Sequence, residues 1–141
     1  MSTINSLVRN HSWSQILSKH FSWVFLGACY WLILGITLDT WAHRHIKLET
    51  FFTPWHGVLY SGLLAAALAL PGVILMNRWR GLSWKEALPT GYDMAILGLI
   101  GSFIGGIGDM FWHIFFGVEQ LIDAQFSPTH MPLCFFLALL L

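Results

Sequence analysis

FSWVFLGACYWLILGITL, residues 21–38, runs for 18 positions without a charged side chain and stops at Asp39. A run of that length can cross the hydrocarbon core of a bilayer as one helix. Two longer runs follow. Trp55–Met76 contains Pro71, where the sequence predicts a kink or an early end. Met94–Val118 is interrupted only by Asp109 and His113. Met131–Leu141 opens a fourth run, but eleven helical residues rise about 17 Å, against roughly 30 Å of hydrocarbon. The expectation is a chain that stops mid-helix, with further helices in the complete protein. The predicted fold class is all-α: a multi-pass transmembrane helical bundle of two repeated helical hairpins, with four spans, the last incomplete.

Composition agrees. The 141 residues are 56% hydrophobic and 10% charged, where soluble domains carry roughly 25% charged residues. Zero net charge with neutral His gives no electrostatic support for a nucleic-acid partner; the expected partner is the lipid bilayer. Leu26-Gly27-Ala28-Cys29 looks like a lipoprotein cleavage box, but nine more apolar residues follow Cys29, so an uncut membrane anchor is the better reading. Cys29 and Cys134 both lie inside apolar runs and read as buried, inert thiols without a disulfide.

The chain divides into a cytoplasmic or interfacial N-terminal segment (1–20), a first transmembrane hairpin (21–76), a cytoplasmic loop (77–91) and a second hairpin (92–141). Lys and Arg set the orientation. Arg9 and Lys19 precede the first span, and Arg78, Arg80 and Lys85 fill the middle loop. The 39–54 loop holds Arg44 and Lys47, and the 119–130 loop holds neither residue type. This predicts a plasma (inner) membrane protein with a cytoplasmic N-terminus and both outer loops on the non-cytoplasmic side. The eight Trp residues suit interfacial belts. Gly98, Ser102, Gly105, Gly106 and Gly108 give the third helix a small-residue face for close packing.

The chemistry sits in a repeat. Asp39-Thr40-Trp41-Ala42-His43 is followed by Glu49 and by Thr53-Pro54-Trp55-His56. Asp109-Met110-Phe111-Trp112-His113 is followed by Glu119 and by Ser127-Pro128-Thr129-His130. The Asp, first His and Glu are offset by 70 residues, and the last His by 74. Asp and His four apart share one helix face. Thr53 and Ser127 suit N-cap positions and Pro54 and Pro128 suit N1, which puts His56 and His130 at N3. A hairpin brings these helix ends together, so one carboxylate and two imidazoles converge, a common ligand set for copper, zinc or non-haem iron. A carboxylate at hydrocarbon depth is costly, and a bound cation offsets that cost. The blander reading is that each Asp–His pair satisfies itself by hydrogen bonding and only fixes helix packing. Glu49 and Glu119 read as outer partners or solvated loop residues rather than ligands. Asp123 reads as exposed, and His45 as a loop residue. Trp41, Phe51, Phe52, Trp112, Phe115 and Phe116 read as belt or packing residues that also shield a site from water.

At these residues the chain resembles the C subunit of the particulate methane and ammonia monooxygenases, as a distant relative. Asp39-x3-His43-x12-His56, with Glu49-Thr50-x-Phe52-Thr53-Pro54-x-His56 inside it, is similar to that family's Asp, His, His metal motif. The second stretch resembles the family's later Asn, His, His site, with Asp109 where the family has Asn and a longer loop before His130. The resemblance covers roughly residues 30–141. It implies that Asp39, His43 and His56 ligate one metal, preferably copper, and that Asp109, His113 and His130 form a second site. It also implies O2-dependent hydroxylation of a small apolar substrate, in company with other membrane subunits or in a homo-oligomer. The rival expectations are a metal carrier or importer, and a non-catalytic membrane subunit.

Overall fold

The computed structural model describes residues 2–46, 50–117 and 126–141, with side chains from residue 20 onward. All regular structure among the described residues is helical. Helix α1 spans Ser2–His45, α2 Pro54–Trp79, α3 Trp84–Ala87, α4 Asp93–Phe116 and α5 His130–Leu140. Three stretches are long and apolar enough to cross a membrane: His20–His45 and Pro54–Trp79, of 26 residues each, and Asp93–Phe116, of 24. At 1.5 Å per residue they measure about 36–39 Å, against roughly 30 Å of hydrocarbon. Helix α5 is apolar but has eleven described residues.

Local sequence explains the ends. Thr53 is the N-cap of α2, with its side chain accepting from the His56 N–H, and Pro54 takes N1, where its missing donor costs nothing. Pro71 does not end α2, which continues to Trp79; membrane helices tolerate an internal proline that soluble ones rarely do. Gly117 closes α4 with φ +85, a conformation that favours glycine, and its N–H donates to the His113 carbonyl at 3.1 Å. The polar loop contains the short α3, which the apolar pattern did not reveal. Its entry is fixed by Glu86, whose carboxylate accepts from the Ser83 N–H (3.1 Å) and hydroxyl (2.7 Å). Those bonds hold the exposed Glu86 carboxyl below the ordinary carboxylate range. Asn77 Nδ2 donates to the Ala87 carbonyl at 2.9 Å, and Arg78 covers the Trp84 ring at 4.8 Å.

Helix α1 packs along α2, α4 along α5, and the two pairs meet where α2 touches α4. Among the described residues α1 and α5 have no Cα atoms within 8 Å of each other, and on that side they meet through side chains, His43 and His130 among them. Glycine sets the packing within each pair. A Cβ on Gly62 would lie 2.7 Å from Leu32 Cα, and one on Gly35 would lie 2.4 Å from Leu59 Cα. In the second pair, a Cβ on Gly98 would lie 2.4 Å from the Leu140 nitrogen, and one on Gly101 would enter the Phe136 ring. Gly106 instead faces Tyr60 of α2, where a Cβ would come within 2.8 Å of the ring. The expected small-residue face therefore serves two neighbours. Gly108 is not part of it: nothing lies within 4 Å of its would-be Cβ.

Leu32, Leu63, Ala66, Leu70, Leu133 and Leu137 are buried between the helices, while Trp23, Leu64, Leu68, Phe103 and Ile104 are exposed on the outward faces. Large apolar side chains turned outward suit a lipid surroundings. Tyr92 ties the first helix to the fourth, donating to Ser22 Oγ at 3.2 Å and meeting Phe21 and Phe25 edge-on. Because Gly62 touches backbone that cannot yield, Gly62→Ala should destabilise the protein by about 1–3 kcal/mol. Gly72→Ala, with open space around its Cβ, should be neutral or slightly stabilising. Denaturant titration in detergent measures both.

Candidate metal centre

The ends of four helices deliver one polar cluster into otherwise apolar surroundings. Asp39 and His43 come from the last turns of α1, His56 from the first turn of α2, Asp109 and His113 from the end of α4, and His130 from the start of α5. Asp39, His43, His56, Asp109 and His113 are all buried, Asp109 to 1% exposure. His130 is half-buried.

Within each motif the expected partners meet. Asp39 Oδ1 lies 3.2 Å from His56 Nε2, and Asp39 Oδ2 lies 3.9 Å from His43 Nε2. Asp109 Oδ1 lies 3.6 Å from His113 Nε2 and 3.5 Å from His130 Nδ1. The two motifs do not stay apart, however. His43 lies over His113 with ring centres 6.1 Å apart and meets His130 at 5.8 Å, and His56 meets His113 at 6.1 Å. Three sets of residues have potential ligand atoms within 4.8 Å of one another: Asp39, His43 and His56; His43, His113 and His130; and His56, Asp109 and His113. The first is the set expected from the first motif. The other two each mix the motifs. The expected second set, Asp109, His113 and His130, is not among the triads found in the described residues; its members instead join His43 and His56.

Backbone carbonyls fix the imidazole tautomers. A carbonyl only accepts, so His56 Nδ1, 2.5 Å from the Phe51 oxygen, must carry the proton, and so must His113 Nδ1, 3.2 Å from the Gly117 oxygen. In a neutral imidazole the other nitrogen, Nε2, is then a bare lone pair. Both Nε2 atoms point inward, are buried and make no hydrogen bond, as is also true of Asp39 Oδ1. At 3.2 Å, the His56 lone pair thus faces a carboxylate oxygen with nothing between them. Buried lone pairs in such contact repel unless a cation joins them. Metal-ligating histidines generally show this arrangement, with one ring N–H given to a carbonyl and the other nitrogen presented to the ion. The residues present therefore fit a metal.

Other groups hold the cluster in place. The Thr129 hydroxyl donates to Asp109 Oδ1 at 2.9 Å. Ser127 Oγ lies 2.8 Å from His130 Nδ1 and accepts from the His130 N–H at 3.2 Å, much as Thr53 serves His56. Helix α5 begins only at His130, with Thr129 as its N-cap, so His130 is at N1 rather than the expected N3, and Pro128 is in the preceding turn. The Ser127 side chain still performs the capping role. Phe51 stacks on His56 at 4.6 Å and is buried. Trp41, Phe52, Phe115 and Phe116 instead face outward. His45 is the last residue of α1, stacked on Trp41 and outside the cluster. Glu49, Glu119 and Asp123 lie outside the described residues.

Beside the cluster is a cavity of about 170 Å³, with Asp39, His56 and Asp109 on one wall and Leu59, Leu133 and Leu137 on another. Cys134 lines it too, as an exposed free thiol, whereas the sequence suggested a buried one; Cys29 is buried and free as expected. Compared with known protein families, curated proteins and solved structures, the chain matches none.

The facing lone pairs make a signed prediction. In chelator-treated protein, Asp39→Asn should stabilise the fold by about 0.5–1.5 kcal/mol, since an amide N–H can donate to His56 Nε2. A loss of stability in the same unfolding titration would mean that a proton already joins Asp39 and His56.

Proposed function

We propose that the chain is a multi-pass membrane metalloprotein, related to the C subunit of the particulate methane and ammonia monooxygenases, whose cluster of Asp39, His43, His56, Asp109, His113 and His130 binds copper. The observation that carries this reading is the buried Nε2 of His56, without a hydrogen bond, set against Asp39 Oδ1. Two carboxylates and four imidazoles are a mixed oxygen and nitrogen donor set suited to copper, with zinc and iron as chemically related alternatives. The motif spacing and the resemblance favour copper.

On this reading α1/α2 and α4/α5 are repeated hairpins, the N-terminus is cytoplasmic and the cluster opens to the outside of the plasma membrane. A copper ion with open positions supplies O2 binding and activation. The chain's own residues do the rest. Phe51 and Gly117 hold the imidazoles in the ligating tautomer, Thr129 orients Asp109, and the stacked Phe51 ring keeps water from His56. Leu59, Leu133 and Leu137 leave an apolar space beside the cluster that suits a small hydrocarbon-like substrate. The carrier reading lacks a path, because α2 beyond Tyr60 buries Leu63, Ala66, Leu70 and Val73. The packing-only reading leaves the orphaned Asp39 and His56 atoms unexplained.

Protein purified from copper-replete cells should hold stoichiometric metal by elemental analysis, with a copper(II) electron paramagnetic resonance signal carrying nitrogen couplings. His43→Ala combined with His113→Ala should remove it. Metal-free wild-type protein that takes up none on reconstitution would end this reading.

A further inference from the structure

Resting on that metal reading, we infer that the cluster takes one divalent ion per chain, centred on His43, His113 and His130, which clamps α1 to α4 and α5, where no close backbone contact joins them.

Charge balance is the first reason. Ligating carboxylates are ionised and ligating imidazoles neutral, so Asp39 and Asp109 contribute two negative charges. One divalent ion neutralises both. Two divalent ions, one per motif, would leave a net charge of two at a site where Asp109 is 1% exposed and the surroundings are apolar. Uncompensated charge in such a place is strongly disfavoured.

Geometry is the second reason. His43, His113 and His130 come from three helices, and their ring centres stand 5.4–6.1 Å apart. Their nitrogens lie within 4.8 Å of one another. Nitrogens bound tetrahedrally to one zinc at about 2.05 Å stand roughly 3.3 Å apart, a spacing inside that limit. Helices α1 and α2 are already in backbone contact at Gly35 and Gly62, and α4 and α5 at Gly98, but α1 and α5 have no such contact. One ion held by all three imidazoles therefore ties the two pairs to each other. Asp39 and Asp109 flank the triad, each already within 4 Å of one of its imidazoles, and supply the balancing charge; a cation beside the Asp39 carboxylate also offsets its close contact with His56 Nε2.

Zinc is a suitable probe because it is divalent and diamagnetic. The full-length protein in lipid nanodiscs, with Cys29 and Cys134 replaced by Ser, would carry nitroxide labels at Leu34→Cys on α1 and Phe135→Cys on α5, both exposed sites. One equivalent of zinc should narrow the distance distribution between the labels, and titration should end at one zinc per chain. His113→Ala and His130→Ala should each weaken zinc binding at least tenfold. Two zinc ions per chain overturn the proposal. So does zinc binding that leaves the label distance distribution unchanged, or that His113→Ala and His130→Ala do not weaken; either result would place the ion outside that triad and leave the metal reading intact. The label measurement needs no ligand variant, so a His variant that fails to fold does not remove the test. Absence of both zinc and copper binding to wild-type protein overturns both readings.

Discussion

A carboxylate oxygen and a bare imidazole nitrogen, pressed together out of reach of water, are the constraint around which this molecule is arranged. The Phe51 carbonyl takes the only proton a neutral His56 has, and turns the other nitrogen toward Asp39. Both atoms are buried, and leucines pack between the helices below them. Such a contact persists in a folded protein if something positive belongs there, or if a proton is shared at some cost to the fold.

The rest of the fold brings these groups to one place. Glycines at 35 and 62 let α1 and α2 touch backbone to backbone, so that the end of one helix stands beside the start of the next. Glycines at 98 and 101 do the same for α4 and α5. Gly106 then admits the Tyr60 ring, and this contact between α2 and α4 decides that the two motifs share a single cluster. Helix termini add their own constraint. His56 and His130 both sit in first turns, where the Thr53 and Ser127 hydroxyls accept from their backbone N–H groups and fix the entry of each helix.

Much of this was written in the sequence. Because the cost of exposing polar groups to hydrocarbon is large and acts residue by residue, the three long apolar runs mark the three membrane-length helical stretches to within seven residues at each end, though α1 itself begins earlier, at Ser2. Asp39, His43 and His56 were legible as a set because helix periodicity and one short loop fix their proximity. The sharing between motifs was not legible, since it depends on how one helix pair leans on the other, which no local spacing encodes. Nor were the carbonyls of Phe51 and Gly117, which any residue at those positions would supply. Thr129 was hidden because its hydroxyl acts across the cluster rather than along its own helix. His130 was placed two positions too deep in its helix, because Ser-Pro reads as cap and N1 even where the turn that follows delays the helix.

X-ray absorption at the metal edge tests most directly whether the buried lone pairs face a cation. Copper-loaded protein should show a first shell of nitrogen and oxygen at about 2.0–2.2 Å, typical of His and carboxylate ligands, with the outer-shell scattering of at least two imidazole rings. A shell of sulfur, or of light atoms without imidazole scattering, would contradict the assignment and leave the cluster as a device for joining helices.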